Sequence, residues 1–273
     1  MFVRQRRQSG LSRAIGLAEV MYHATVRGVR GRHGSALISL LMSVLQTVIL
    51  VGAFWLMISL MGIRSFAIRG DFVLYLFSGI FLFMTHTNAS SAVFSAEGPT
   101  SAMMLHSPMN TIVAIVAAAV GSLYIQVLSM IVVLYGYHAI FKPITIDEPV
   151  GAFAMVLLSW FSGVAVGMVI LPLKPWFPSV ASMANMIWSR ANMLASGKMF
   201  VANTLTFTML RLFDWNPLFH LIDQARGFTF ITYNPRYTSI SYPVYVTITL
   251  LVIGLMGEFY TRRAASISWG AKR

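Results

Sequence analysis

The chain has 273 residues, 57% hydrophobic and only 10% charged, with a net charge of +12 and no cysteine. Soluble domains carry about 25% charged residues, so this composition excludes a water-soluble globular protein, and the lack of thiols excludes disulfides, thiolate metal sites and cysteine nucleophiles. In so apolar a chain the basic excess follows the rule that cytoplasmic segments of membrane proteins collect Lys and Arg, and it does not point to nucleic acid.

Residues 1–12 are polar and basic, and Ser12 is placed to cap a helix beginning at Arg13. Glu19, His23, Arg27 and Arg30 then recur at helical spacing on one face, with Leu17, Met21 and Ala24 on another. Such a helix is expected to lie along the membrane surface with its cations among the headgroups, either as an anchor or as a dock for a partner.

Apolar runs follow at 36–62, 72–95, 112–141, 151–171 and 242–260, with a weaker, more polar one at 177–196. About 20 apolar residues cross the hydrocarbon layer as a helix, because lipid offers no partners to exposed backbone groups. Arginines crowd both ends of the chain, which predicts that both termini are cytoplasmic and that the number of crossings is even. The expectation is therefore an all-α membrane protein of six transmembrane helices. Residues 1–35 would form the cytoplasmic tail and interface helix, 36–261 the transmembrane domain, and 262–273 a basic cytoplasmic tail.

The loop after the second run holds Glu97-Gly98-Pro99 and Ser107-Pro108, breakers that flank a short cytoplasmic element or an ordinary turn. Residues 197–241 are polar overall yet rich in Phe, Trp and Tyr, so short re-entrant or interfacial helices are expected before the last span.

Polar residues fall in stripes along several spans. Ser182, Asn185, Ser189, Asn192 and Ser196 mark one face of the fifth, Thr85, Asn88, Ser91 and Ser95 the second, Ser122, Gln126 and Ser129 the third, and Ser39, Ser43 and Gln46 the first. Two readings stand: interhelical hydrogen bonding, or the lining of a conduit. Arg190, a charge inside a span, calls for a wet cavity, an anionic partner or a snorkelled position. Trp55, Trp160, Trp176, Trp188 and Trp215 fit either an interfacial belt or sugar-stacking surfaces.

Catalytic constellations are sparse. No two histidines are spaced four apart, His220 and Asp223 make a weak acid-base pair one turn apart, and no phosphate-cradling Gly-rich loop occurs, so no metal site is expected and nucleotide energy must come from another chain.

The order of these parts resembles the permease subunit of type 2 ABC exporters of capsular polysaccharide or O-antigen. The likeness rests on the amphipathic segment ending Arg27-Gly-Val-Arg30-Gly-Arg32-His-Gly34, on Asp71-Phe-Val-Leu-Tyr-Leu-Phe-Ser-Gly79 opening the second span, and on the loop around His106-Ser-Pro108. It is most specific at Trp215-Asn-Pro-Leu-Phe-His-Leu-Ile-Asp-Gln-Ala-Arg226, followed by Tyr242-Pro243 and Glu258-Phe-Tyr-Thr-Arg-Arg263. The loop 96–111 departs from the pattern by lacking Lys and Arg.

The resemblance implies a multi-pass protein of a bacterial inner membrane, paired as a homodimer with two ATPase subunits that bind ATP and Mg, with periplasmic and outer-membrane export partners. It further implies that Glu19, His23, Arg27, Arg30, Glu97 and His106 couple to the ATPase. Asn185, Ser189, Arg190, Asn192, Asn88, Ser91 and Gln126 would line the conduit of a lipid-linked polysaccharide, and Trp215, Asn216, Pro217, Phe219 and His220 would shape an outer gate. An ABC exporter of drugs or lipids shares all these membrane-level features, and an ATP-independent channel is a further alternative.

Overall fold

A computed structural model describes residues 10–31, 35–60, 70–96 and 111–270, and among these residues it is helical with no strand. The helices, in order, are α1 (Gly10–Gly31), α2 (Ala36–Leu60), α3 (Phe72–Ser95), α4 (Thr111–Ile140), α5 (Pro149–Ile170), α6 (Pro178–Ala195), α7 (Phe207–Phe213), α8 (Pro217–Thr229) and α9 (Ser241–Gly270).

Among the described residues, five segments are long and apolar enough to cross a membrane, namely 36–57, 72–95, 111–140, 149–173 and 241–264. The sixth expected span is helical too, but its 18 residues include Ser182, Asn185, Ser189, Arg190 and Asn192, which keep it below the apolarity of the rest. At 1.5 Å per residue it reaches about 27 Å. The last helix continues to Gly270, so 262–270, expected as a tail, extend α9.

The centre of the bundle is α3, packed most extensively on α5 and also on α2, α4 and α8. The α3 and α5 backbones approach closely because Gly163 and Gly167 face α3. A Cβ at Gly163 would come within 2.2 Å of the His86 carbonyl oxygen, and one at Gly167 within 2.7 Å of that of Ser90. This Gly-x-x-x-Gly spacing presents one flat strip of helix to a neighbour. Across it Ser159 Oγ donates to the Leu82 carbonyl at 2.8 Å, and Trp160 Nε1 donates to that of Ala119 on α4 at 2.9 Å. On the other side of α5, Gly254 of α9 lies against Met168.

Helix α1 packs mainly along α4, with Glu19, His23 and Arg27 exposed and Met21 and Ala24 half-buried. The segment between α6 and α9 folds back into the bundle. Its longest helix, α8, buries Leu218, Leu221 and Ile222 against Leu82 of α3 and Met155 and Val156 of α5.

Candidate functional site

Three of the polar stripes converge. Ser39, Ser43 and Gln46 of α2, Asn88 of α3, and Ser122 and Gln126 of α4 line one groove of about 170 Å³. Helix spacing brings these residues together because each pair is three or four apart on its own helix, and the three helices pack side by side. Asn88 Nδ2 donates to Gln126 Oε1 at 3.0 Å, which fixes the Gln126 amide with its Nε2 unpaired. Ser43 Oγ is likewise buried without a partner. Every polar group on the groove wall is a neutral amide or hydroxyl. An unmet buried donor costs about 1–3 kcal/mol, so the groove favours water or a hydroxyl-bearing guest over hydrocarbon.

The α6 stripe behaves differently. Asn185 bridges to α3, its Oδ1 accepting from Ser90 Oγ at 3.5 Å and its Nδ2 donating to Ser91 Oγ at 3.4 Å. Asn192 is buried, donating to the Trp188 carbonyl and accepting from Asn216 Nδ2 at 2.9 Å. Ser189 donates to the Asn185 carbonyl. Arg190 stands apart from these on an exposed face with Met183, Met186 and Ile187. The seven expected conduit residues thus divide: Asn88 and Gln126 in the groove, Asn185, Ser91 and Asn192 in a packing seam, Ser189 bonded within its own helix, and Arg190 outside.

A buried network unforeseen in the sequence crosses the same seam. His86 is fully enclosed, with Nε2 accepting from Trp188 Nε1 at 3.0 Å and Nδ1 2.9 Å from Ser162 Oγ. An indole N–H only donates, so the ring carries its proton on Nδ1 and donates that N–H to Ser162 Oγ, whose hydroxyl donates to the Ser159 carbonyl at 2.8 Å. His86 and Trp188 sit on different helices, and only their shared burial would have paired them.

In the Trp215 to His220 block the side chains have structural tasks. Asn216 caps α8, its Oδ1 accepting from the Leu218 N–H at 3.0 Å, while its Nδ2 also donates to the Ala195 carbonyl at 3.0 Å. One amide therefore starts α8 and ties it to the end of α6. Pro217 occupies the first turn, where the missing N–H costs nothing. Phe219 is buried with Phe200 and Phe213, ring centroids 6.2 Å from each. His220 accepts from the Ser239 N–H at Nδ1 and approaches the Asp214 carbonyl at 2.7 Å through Nε2, with the Tyr242 ring 4.8 Å away. Trp215 is exposed, its indole donating to the Leu212 carbonyl.

Beside this block lie buried charges that the spacing of residues did not single out. Arg226 donates to the carbonyls of Gly197, Lys198 and Phe200 at 2.7–2.9 Å and stacks 4.2 Å from the Tyr75 ring centre. It closes the turn after α6, where Gly197 takes φ 75°, a left-handed value that favours glycine. Asp223 accepts from Tyr233 Oη and from Thr238 Oγ1 at 2.8 Å, and burial together with that carboxylate pushes the Tyr233 phenol up. Among the described residues Lys198 Nζ has no hydrogen-bond acceptor, and it rests 3.6 Å from the centre of the Phe83 ring. Burial lowers its ammonium to about 8.

Of the expected coupling residues, Glu19, His23 and Arg27 are exposed on α1, and His23 Nε2 lies 3.9 Å from Glu19 Oε1. The Arg30 side chain, Glu97 and His106 lie outside the described residues. Compared with family models and with curated proteins, the chain matches none.

Proposed function

We propose that this chain is the membrane-spanning permease subunit of a type 2 ABC exporter, moving a lipid-linked capsular polysaccharide or related glycan from cytoplasm to periplasm. The observation that carries the reading is the groove between α2, α3 and α4. Its polar groups are all neutral amides and hydroxyls, set beside Met42 and Ile125, and with Gln126 Nε2 and Ser43 Oγ unpaired they suit the hydroxyls of sugar rings. The order of elements, from a basic amphipathic helix through spans to short helices before the last one, agrees with the family resemblance.

In this reading α6 completes six crossings, both termini are cytoplasmic, and two copies pair in a bacterial inner membrane. Helix α1 is the interface helix, presenting Glu19, His23, Arg27 and Arg30 to a separate ATPase that binds ATP and Mg, with Glu97 and His106 contributing from the neighbouring loop. The segment 197–241 is the outer gate, and its inward-folded α8 is the part that must shift for cargo to leave.

The test is Gln126→Leu, alone and with Ser43→Ala, in a vesicle export assay. Loss of one or two hydrogen bonds of about 0.5–1.5 kcal/mol each should slow glycan export roughly two- to tenfold or more, while ATPase assembly is unchanged. Normal glycan export by the double variant would remove the groove from the transport path.

A further inference from the structure

Two cavities meet at the end of the bundle that carries the turn between α4 and α5. The larger, about 350 Å³, is walled by Gly70 and Asp71 before α3, by Thr145 and Asp147 in the turn, and by Phe230 and Ile231 after α8. The second, about 180 Å³, is a slot lined by Phe77 and Phe81 of α3, Met130 and Leu134 of α4, and Ala152 and Val156 of α5. Leu74, Ile146 and Thr229 belong to both walls, so the polar chamber adjoins the apolar slot. Along α3 the slot runs from Leu74 to Leu82, about 12 Å at 1.5 Å per residue. Phe153 on its wall and Val150 beside it are exposed, which places the opening on the lateral face of the bundle, where a membrane protein meets acyl chains.

The described walls of the chamber are acidic. They carry two carboxylates, Asp71 and Asp147, and no cation. Asp71 is held rigidly at the junction, Oδ1 accepting from the Val73 N–H at 2.9 Å and Oδ2 from Tyr137 Oη at 2.7 Å. Asp147 is exposed, its backbone N–H meeting the Thr229 carbonyl at 3.4 Å. A guest that fills both spaces needs a hydrocarbon tail for the slot and a head that is not a bare anion for the chamber. An ammonium meets that requirement through charge-assisted hydrogen bonds to the carboxylates.

We propose that the double cavity is a lipid site, seating one acyl chain between α4 and α5 and an amine-bearing headgroup against Asp71 and Asp147. The site is separate from the polar groove and does not depend on what the protein exports. A bound chain there packs at once on α3, α4, α5 and the buried end of α8, so occupancy stiffens the contact between the spans and the inward-folded segment.

The full chain, purified in mild detergent, is titrated with phosphatidylethanolamine or with phosphatidylglycerol, and retained lipid is counted by native mass spectrometry. The expected result is about a tenfold preference for the amine-bearing lipid, one charge-assisted contact in size. Asp147→Asn should erase most of that preference while keeping tail binding, and Ala152→Trp, which fills the slot, should abolish retention of both lipids. Should Ala152→Trp fail to elute as a folded species, Val156→Phe blocks the same slot from α5. Equal retention of the two lipids by the unaltered protein, or unchanged retention in a folded slot-filled variant, would overturn the assignment.

Discussion

At position 198 an ammonium is buried against the faces of Phe83 and Phe54 without any hydrogen-bond acceptor among the described residues, an arrangement in which cation–π attraction only partly replaces lost hydration. Its pKa falls to about 8, below the roughly 10.4 of a free lysine. Between those values the folded state holds the amine neutral while the unfolded chain still binds the proton, so stability rises with pH from about 8 to 10. Below 8 the full penalty applies, on the order of 3 kcal/mol. Tyr233 acts in the opposite sense above pH 10, because its raised phenol stays protonated in the fold while the unfolded tyrosine ionises. Melting curves of Lys198→Met should lose the rise between pH 8 and 10 and keep the fall above 10. An unaltered profile would mean that the lysine is hydrated in the folded protein. Asn216 supplies a second test at this scale. Asn216→Ala should cost about 1–3 kcal/mol, since it removes a helix cap and two further hydrogen bonds, whereas Asn216→Asp should keep the cap and lose the tie to Asn192 and Ala195. The sequence showed the block containing Asn216 but not its task. A cap is read from local spacing, while its second bond to α6 requires knowing which helix ends nearby.

Helices repeat the same contrast. The existence of each long helix was legible, because 20 or more apolar residues permit little else in lipid. The polarity of α6 was legible as well, but its direction was not: Asn185 and Asn192 turn into the bundle and Met186 faces out. A stripe of Asn and Ser looks the same whether it meets water or another helix, and only the partners Ser90, Ser91 and Asn216 decide it. Accordingly, a cysteine at position 192 should resist a water-soluble thiol reagent unless α6 moves away from the start of α8. The Gly163 and Gly167 pair does not stand out among twenty glycines, although its spacing is that of a close helix contact. Gly163→Val should destabilise the fold by at least about 2 kcal/mol, because its Cβ collides with the His86 carbonyl. Gly52→Ala meets nothing within 4 Å and should be neutral or stabilising by up to about 1 kcal/mol. Thermal unfolding of the two variants side by side checks both.

For the molecule as a whole, composition and the basic ends were enough to read a multi-pass membrane protein. The convergence of stripes from α2, α3 and α4 on one groove was not, because it depends on which spans are neighbours and how each is rotated. The buried charges Arg226, Asp223 and Lys198 were hidden for a related reason: the aromatic stretch 197–241 reads as short re-entrant or interfacial helices, but which of its polar side chains turn inward depends on how those helices pack on the spans. The proposed permease role, with a separate ATPase as the motor, is tested by ATP-dependent glycan export from vesicles that contain the chain and whatever ATPase subunit co-purifies with it. A nucleotide-binding subunit should be retained, export should require ATP, and Arg27→Glu with Arg30→Glu should uncouple hydrolysis from export while the chain still inserts. Export that proceeds at the same rate without ATP, or a chain that purifies with no ATPase from its native membrane, would contradict that role.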